Sequence, residues 1–237
     1  MAEKIQEGDF ITIDYIGRVK DTGMIFDLTN EEIAKKEGLN TEGTVYGPVT
    51  VVVGARHVVP GLDKQLSSLS VGEKKKIDIE SADAFGSKDA ELVKLVPMNV
   101  FKRQKVNPIP GMPVELERQK GIVKSVSGGR VKVDFNHPLA GKTLEYEVEV
   151  KGKIIKAEEQ VRSILKLHVP SVEIKDVKIA VTEKEVEIST PNEMQTRRYI
   201  NLTEEITARD ILKYVKGANR VRFVDVFEKG ESNIKNS

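Results

Sequence analysis

The sequence predicts an α+β chain: an antiparallel β-sheet wrapped on a short helix, a small β-rich insertion, and a C-terminal two-layer α/β unit. Three observations point there. Alternation with a period of two dominates residues 1–80, as in Phe10 to Val19, where Ile11, Ile13 and Tyr15 share one face and Thr12 and Asp14 take the other. Residues 87–140 change character, with short apolar runs broken by Pro and Gly. Residues 157–237 read in the order α-β-β-α-β, the pattern of a compact two-layer module.

Element by element, Asp21-Thr22-Gly23 is a turn signal after the first strand, and Met24 to Asp27 resumes as the second. A short charged helix is expected over Asn30 to Glu37, ended by Gly38. Val49, Val51 and Val53 alternate in a strand that stops at Gly54. Pro60 to Leu66 reads as a short helix with Pro in its first turn, and Ile77 and Ile79 mark a half-buried strand. In the insertion, an apolar run (Leu92, Val93, Leu95, Val96) leads to a Pro97-led helical turn and a bend at Asn107 to Gly111. A hairpin follows, with Ile122, Val123 and Val126 on one arm, Val131, Val133 and Phe135 on the other, and Ser127-Gly128-Gly129 between them. Leu144, Tyr146, Val148 and Val150 then share one face of a further strand.

The last unit opens with a helix carrying Val161, Ile164, Leu165 and His168, closed by Pro170. Val177, Ile179 and Val181 pair with Val186 and Ile188 across Glu183-Lys184. A second helix holds Ile211, Leu212 and Val215 and ends at Gly217. The strand Val221 to Phe227 is apolar on both faces, which calls for a cover beyond one layer of helices, and the tail 231–237 is expected to fray.

Composition narrows the function. The 39% hydrophobic content supports real cores, and 32% charged residues cancel to a net charge of +1, which argues against a polyanion binder. With no cysteine there is no disulfide, thiol catalysis or cysteine–zinc site. Neither a signal peptide nor a membrane span is apparent, so a cytoplasmic location is expected. His57, His137 and His168 lack metal-site spacing, and no phosphate loop is present; no metal and no cofactor are expected.

What remains is a set of apolar and aromatic residues around one Tyr and one Asp, carried by a series of local words. D-Y-I-G-R at 14–18, F-D at 26–27, G-A-R-H-V-V-P-G-L at 54–62, L-S-V-G-E at 69–73 and D-A-F-G at 83–86 resemble the FKBP peptidyl-prolyl isomerases, in that family's order and spacing. The stretch of residues that replaces the usual flap and ends in N-H-P-L-A-G at 136–141 resembles the insert-in-flap domain of SlyD-type members. The C-terminal unit resembles, in layout, that of the long-chain archaeal members. The resemblance implies an isomerase domain over 1–86 and 141–156, an insert over 87–140, and a C-terminal domain over 157–237.

It also implies that Tyr15, Phe26, Asp27, Val49, Val58, Val59, Leu62, Phe85 and Tyr146 line a prolyl pocket, with Leu139 and Ala140 adding a wall. Three positions depart from the best-known members: Leu62 replaces a floor tryptophan, Phe85 a tyrosine, and Val49 a phenylalanine. SlyD's metal-binding histidine tail is absent, so metal binding does not carry over. Leu95, Val96, Met98, Val100, Phe101 and Ile109 are candidate grips for an unfolded client, against their use as the insert's own core. The expected activity is isomerisation of X-Pro bonds with chaperone function. The alternatives are a holdase with a vestigial pocket and a nucleic-acid module, the latter least favoured by the charge balance. Expected partners are unfolded polypeptides, with no nucleic acid and no membrane, and a homodimer through 157–237 set against packing of that unit back onto the isomerase domain.

Overall fold

The computed structural model describes residues 3–39, 44–169, 174, 176–190 and 194–226. Pro170, Phe227 and the tail 231–237 lie outside the described residues.

The first sheet is built on β1 (Phe10–Val19) and β9 (Leu144–Ile154), antiparallel along their whole length from Phe10 opposite Ile154 to Val19 opposite Leu144. On its outer edge β1 pairs first with β3 (Val49–Val52) and then with β2 (Ile25–Leu28), while β4 (Lys74–Ile79) pairs with β9. Alternation decides the faces: Ile11, Ile13, Ile77, Ile79, Leu144, Val148 and Val150 enter one core with Leu62 and Leu66 of α2 (Pro60–Leu66). The short helix α1 (Glu31–Lys36) begins where the Asn30 side chain accepts the Ile33 N–H, and Gly38 leaves it at φ +68°.

The insertion forms its own four-stranded sheet in the order β5 (Val93–Pro97), β8 (Arg130–Asp134), β7 (Gln119–Ser127), β6 (Pro113–Leu116), with α3 (Met98–Arg103) across it. Phe101, Val123, Val131 and Val133 are its fully buried core. Its neck is clamped by Asn136, whose side chain accepts the Asp89 N–H at 2.8 Å and donates to the Asp89 carbonyl at 2.9 Å.

The last unit follows the expected order: α4 (Ala157–His168), β10 (Lys178–Val181), β11 (Glu185–Thr190), α5 (Met194–Tyr214), β12 (Arg220–Asp225). β12 runs parallel to β11 at the edge of a three-stranded sheet. The expectation that this strand is apolar on both faces holds only in part. Val221 and Phe223 stand beside Val186 and Ile188 in the core, whereas Arg222 lies outward and pairs with Glu185 and Glu187, both at 3.5 Å. Half-buried Val224 shares that outward face with Arg222, so the second face is mixed rather than apolar. The unit also packs back onto the first sheet: Phe10 and Val52 share a core with Val161, Ile164, Ile188 and Ile211. Among the described residues no helix is long and apolar enough to cross a membrane.

Candidate active site: an aromatic cavity on the first sheet

A cavity of about 560 Å³ opens on the first sheet, lined by Tyr15, Phe26, Asp27, Val58, Val59, Phe85, Leu139 and Tyr146, all expected from the sequence, together with Met24, His57, His137 and Pro138. Its aromatic walls are mutually braced. Phe26 meets Tyr146 edge-on at 5.7 Å between centroids and Phe85 at 6.4 Å, and Tyr15 tilts against Tyr146 at 5.8 Å. Phe26 crosses β1 over Gly17, where an ideal Cβ would lie 2.6 Å from its Cζ.

The two tyrosine hydroxyls at the rim are held in their neutral form. The Tyr15 hydroxyl donates to Asp27 Oδ2 at 2.7 Å. Burial, then that bond to the Asp27 carboxylate, pushes the Tyr15 hydroxyl well above the usual phenol range; burial, then the Asp27 charge, does the same to Tyr146. Both stay neutral donors at any ordinary pH. His57 Nδ1 accepts the Val52 N–H at 3.1 Å, and burial holds its pKa below the ordinary histidine value.

The loop from Gly54 to Val59 brings Val58 and Val59 to the cavity, and it is pinned from behind. The buried Asp63 carboxylate accepts the N–H groups of Gly54 and Arg56, each at 2.9 Å, across a turn in which Arg56 has φ +60°. Val59 caps α2, whose first turn accommodates Gly61 against the Ile79 side chain. The Val59 N–H makes no hydrogen bond among the described residues, which leaves a donor at the cavity wall.

Three expected site residues stand elsewhere. Leu62 is fully buried in the core and does not itself line the cavity; Ala140 is buried and Val49, at the start of β3, is exposed, and neither lines the cavity. Of the expected client contacts, Phe101 is a correction: at 0% exposure it is the centre of the insert's core, placed there by its inward face on α3. Val96, Met98 and Val100 pack partly against that core, whereas Leu95 and Ile109 are well exposed. His57 and His137 were missed as wall residues. Both lie inside the words that carry the resemblance, and only the fold turns them inward: His137 stacks flat on Phe85 at 4.4 Å, and its Nδ1 accepts the Leu139 N–H. Among the described residues no group of three or more His, Asp or Glu side chains gathers in metal-binding geometry.

Two family models match the chain. One described as the IF domain of FKBP26 matches residues 94–139, and one described as FKBP26 C-terminal matches 157–228. The short-type peptidyl-prolyl cis-trans isomerase of Methanocaldococcus jannaschii is 29% identical over 151 residues, 64% of this chain and 95% of that protein. A probable FKBP-type 16 kDa isomerase of Pseudomonas fluorescens is 29% identical over 146 residues, 52% of this chain and 96% of its own length. The SlyD isomerase of Aeromonas hydrophila is 37% identical over 106 residues, 44% of this chain and 50% of that protein. With the insert and the C-terminal unit each matched by an FKBP26 model, and isomerases of one family aligned over as much as 64% of its length, the chain belongs to the FKBP family and is a SlyD-like member of it.

Proposed function

We infer that the chain is a peptidyl-prolyl cis/trans isomerase and folding chaperone acting in a reducing cytoplasm. The observation that carries the reading is a braced aromatic cavity whose two tyrosine hydroxyls, Tyr15 and Tyr146, stay protonated at any ordinary pH. Rotation about an X-Pro bond faces a resonance barrier of roughly 18–20 kcal/mol and needs no nucleophile. The planar amide is more polar than the twisted form, so an apolar enclosure of Phe26, Val58, Val59, Phe85 and Tyr146 favours the twist. In this reading the unbonded Val59 N–H holds the carbonyl of the residue before proline, which its position in the cavity lining supports. Asp27 fixes the Tyr15 hydroxyl by accepting its hydrogen bond and takes no proton in the reaction.

In this reading residues 1–86 and 141–156 are the isomerase domain, with 87–140 as a client grip through exposed Leu95 and Ile109 and the edges of Val96, Met98 and Val100. Residues 157–237 carry a second role, self-association, resting on Leu202 and Ile206 exposed on the outer side of α5; light scattering on the full chain tests it. The catalytic reading is tested with short Ala-Leu-Pro peptides. Isomerisation is expected at a rate flat between about pH 7 and 9, since no proton moves. A bell-shaped profile across that range overturns the mechanism, and no acceleration at all would leave a holdase.

A further inference from the structure

The net charge of +1 conceals a division. Residues 87–140 hold ten basic and five acidic side chains, while the rest of the chain holds 28 basic and 32 acidic. The excess is gathered partly on one surface. In β8, Val131 and Val133 turn inward to Phe101, so Arg130 and Lys132 turn outward, and their cross-strand neighbours on that face are Ser127 and Ser125 of β7. On the other side of β8, Lys132 stands opposite Leu95, which is 60% exposed. Arg130 and Lys132 make no ion pair among the described residues. The face contains two carboxylates: Asp134 is buried and shared by Lys88 at 3.7 Å and Lys124 at 3.6 Å, and Glu115 of β6 stands opposite Lys120, two strands away from β8, so neither offsets the outer pair.

We propose that this outward sheet face of the insert selects acidic, extended polypeptide segments, pairing their carboxylates with Arg130 and Lys132 while an apolar side chain rests on Leu95. The proposal rests on reading the insert as the client grip. Residues two apart on a strand lie about 6.6 Å apart on one face, which is also the spacing of alternate side chains in an extended client. The small hydroxyls of Ser125 and Ser127 leave the approach open. Polypeptide is favoured over nucleic acid because the face presents an aliphatic neighbour, Leu95, and its strand residues include no aromatic ring on which a base could stack. Selection by charge also gives an isomerase a use for a basic insert: segments rich in Asp and Glu resist collapse and stay extended long enough to be held.

The test uses the full chain and two fluorescent unfolded peptides of identical apolar and prolyl content, one with Glu and one with Lys at alternate positions. The Glu peptide is expected to bind about tenfold more tightly at low salt, and raising salt to about 300 mM should remove most of that preference. Arg130→Glu with Lys132→Glu should abolish or invert it, Arg130→Lys with Lys132→Arg should keep it, and neither pair should alter isomerisation of a short neutral prolyl peptide. Equal binding of both peptides at low salt overturns the charge selection alone, leaving an apolar grip. Binding of neither overturns the client-grip reading with it. If a single-stranded RNA of matched charge displaces the Glu peptide at lower concentration than the peptide itself, the face is a nucleic-acid site and the proposal fails.

Discussion

An ideal Cβ on Gly17 would lie 2.6 Å from Cζ of Phe26, so the ring that walls the cavity crosses β1 only because this residue has no side chain. Alanine there must push the ring aside, an overpacking cost of about 1–3 kcal/mol. Gly17→Ala is therefore expected to lower kcat/KM on a prolyl peptide about tenfold while the chain still folds. Unchanged activity in a folded variant would mean that the position of Phe26 does not matter to catalysis. His57 gives a second test at this scale. Its Nδ1 must stay unprotonated to accept the Val52 N–H, and burial lowers its pKa, partly offset by the Asp210 and Asp63 carboxylates and reinforced by His168. The folded value lies below the unfolded one, so the unfolded chain takes up the proton first as pH falls. Its contribution to stability is complete above about pH 6.5 and declines below it. Melting curves at pH 7 and pH 5 should differ less for His57→Asn, which keeps an acceptor and loses the titration. An unchanged difference would assign the acid sensitivity to other groups.

At the scale of elements, the neck of the insert decides where it can be removed. Asn136 bonds both backbone groups of Asp89, so those two residues already close a loop on the isomerase side, and His137 and Leu139 beyond them belong to the cavity wall. Replacing residues 90–135 by a short linker should keep short-peptide isomerisation within about threefold and reduce acceleration of proline-limited protein refolding by tenfold or more, because a second grip raises the effective concentration of client. Equal losses on both substrates would show that the insert shapes the cavity. This boundary was legible only in part. The Gly128-Gly129 turn, with φ of +56° and +74°, announced the β7–β8 hairpin, and Pro60 and Gly38 announced helix ends. The β6–β7 hairpin was not announced, because its turn residues Glu117 and Arg118 adopt φ of +50° and +65° without the Gly or Asn that usually signals such a turn. Likewise Met98 to Arg103 reads as helix, but which side faces the sheet is a tertiary fact. Phe101 was misjudged as a surface contact for that reason.

At the scale of the molecule, Phe10 and Val52 join the isomerase sheet to the C-terminal unit. Both are about 1% exposed, and both belong to the core of α4, α5 and their sheet, with Ile154 and Ala157 packed alongside at the exit of β9. Two-faced burial of β1 explains the placement: Ile11 and Ile13 point into the first core, so Phe10 points out of it and needs a cover that the first domain does not supply. The C-terminal unit is that cover, whatever it does with its own outer face. Opposite outcomes are then expected for one substitution pair in two contexts. In the full chain Phe10→Ser with Val52→Thr should be strongly destabilising, since truncating a buried aromatic costs about 3–5 kcal/mol. In a fragment of residues 1–156 the same pair should improve solubility and monomer content, because there Phe10, Val52 and Ile154 face water as an apolar patch. Thermal melts of both full chains and light scattering of both fragments measure this. If the unaltered fragment stays monomeric and the substitutions destabilise both contexts alike, Phe10 and Val52 serve the first sheet itself, and the C-terminal unit is only loosely attached to it.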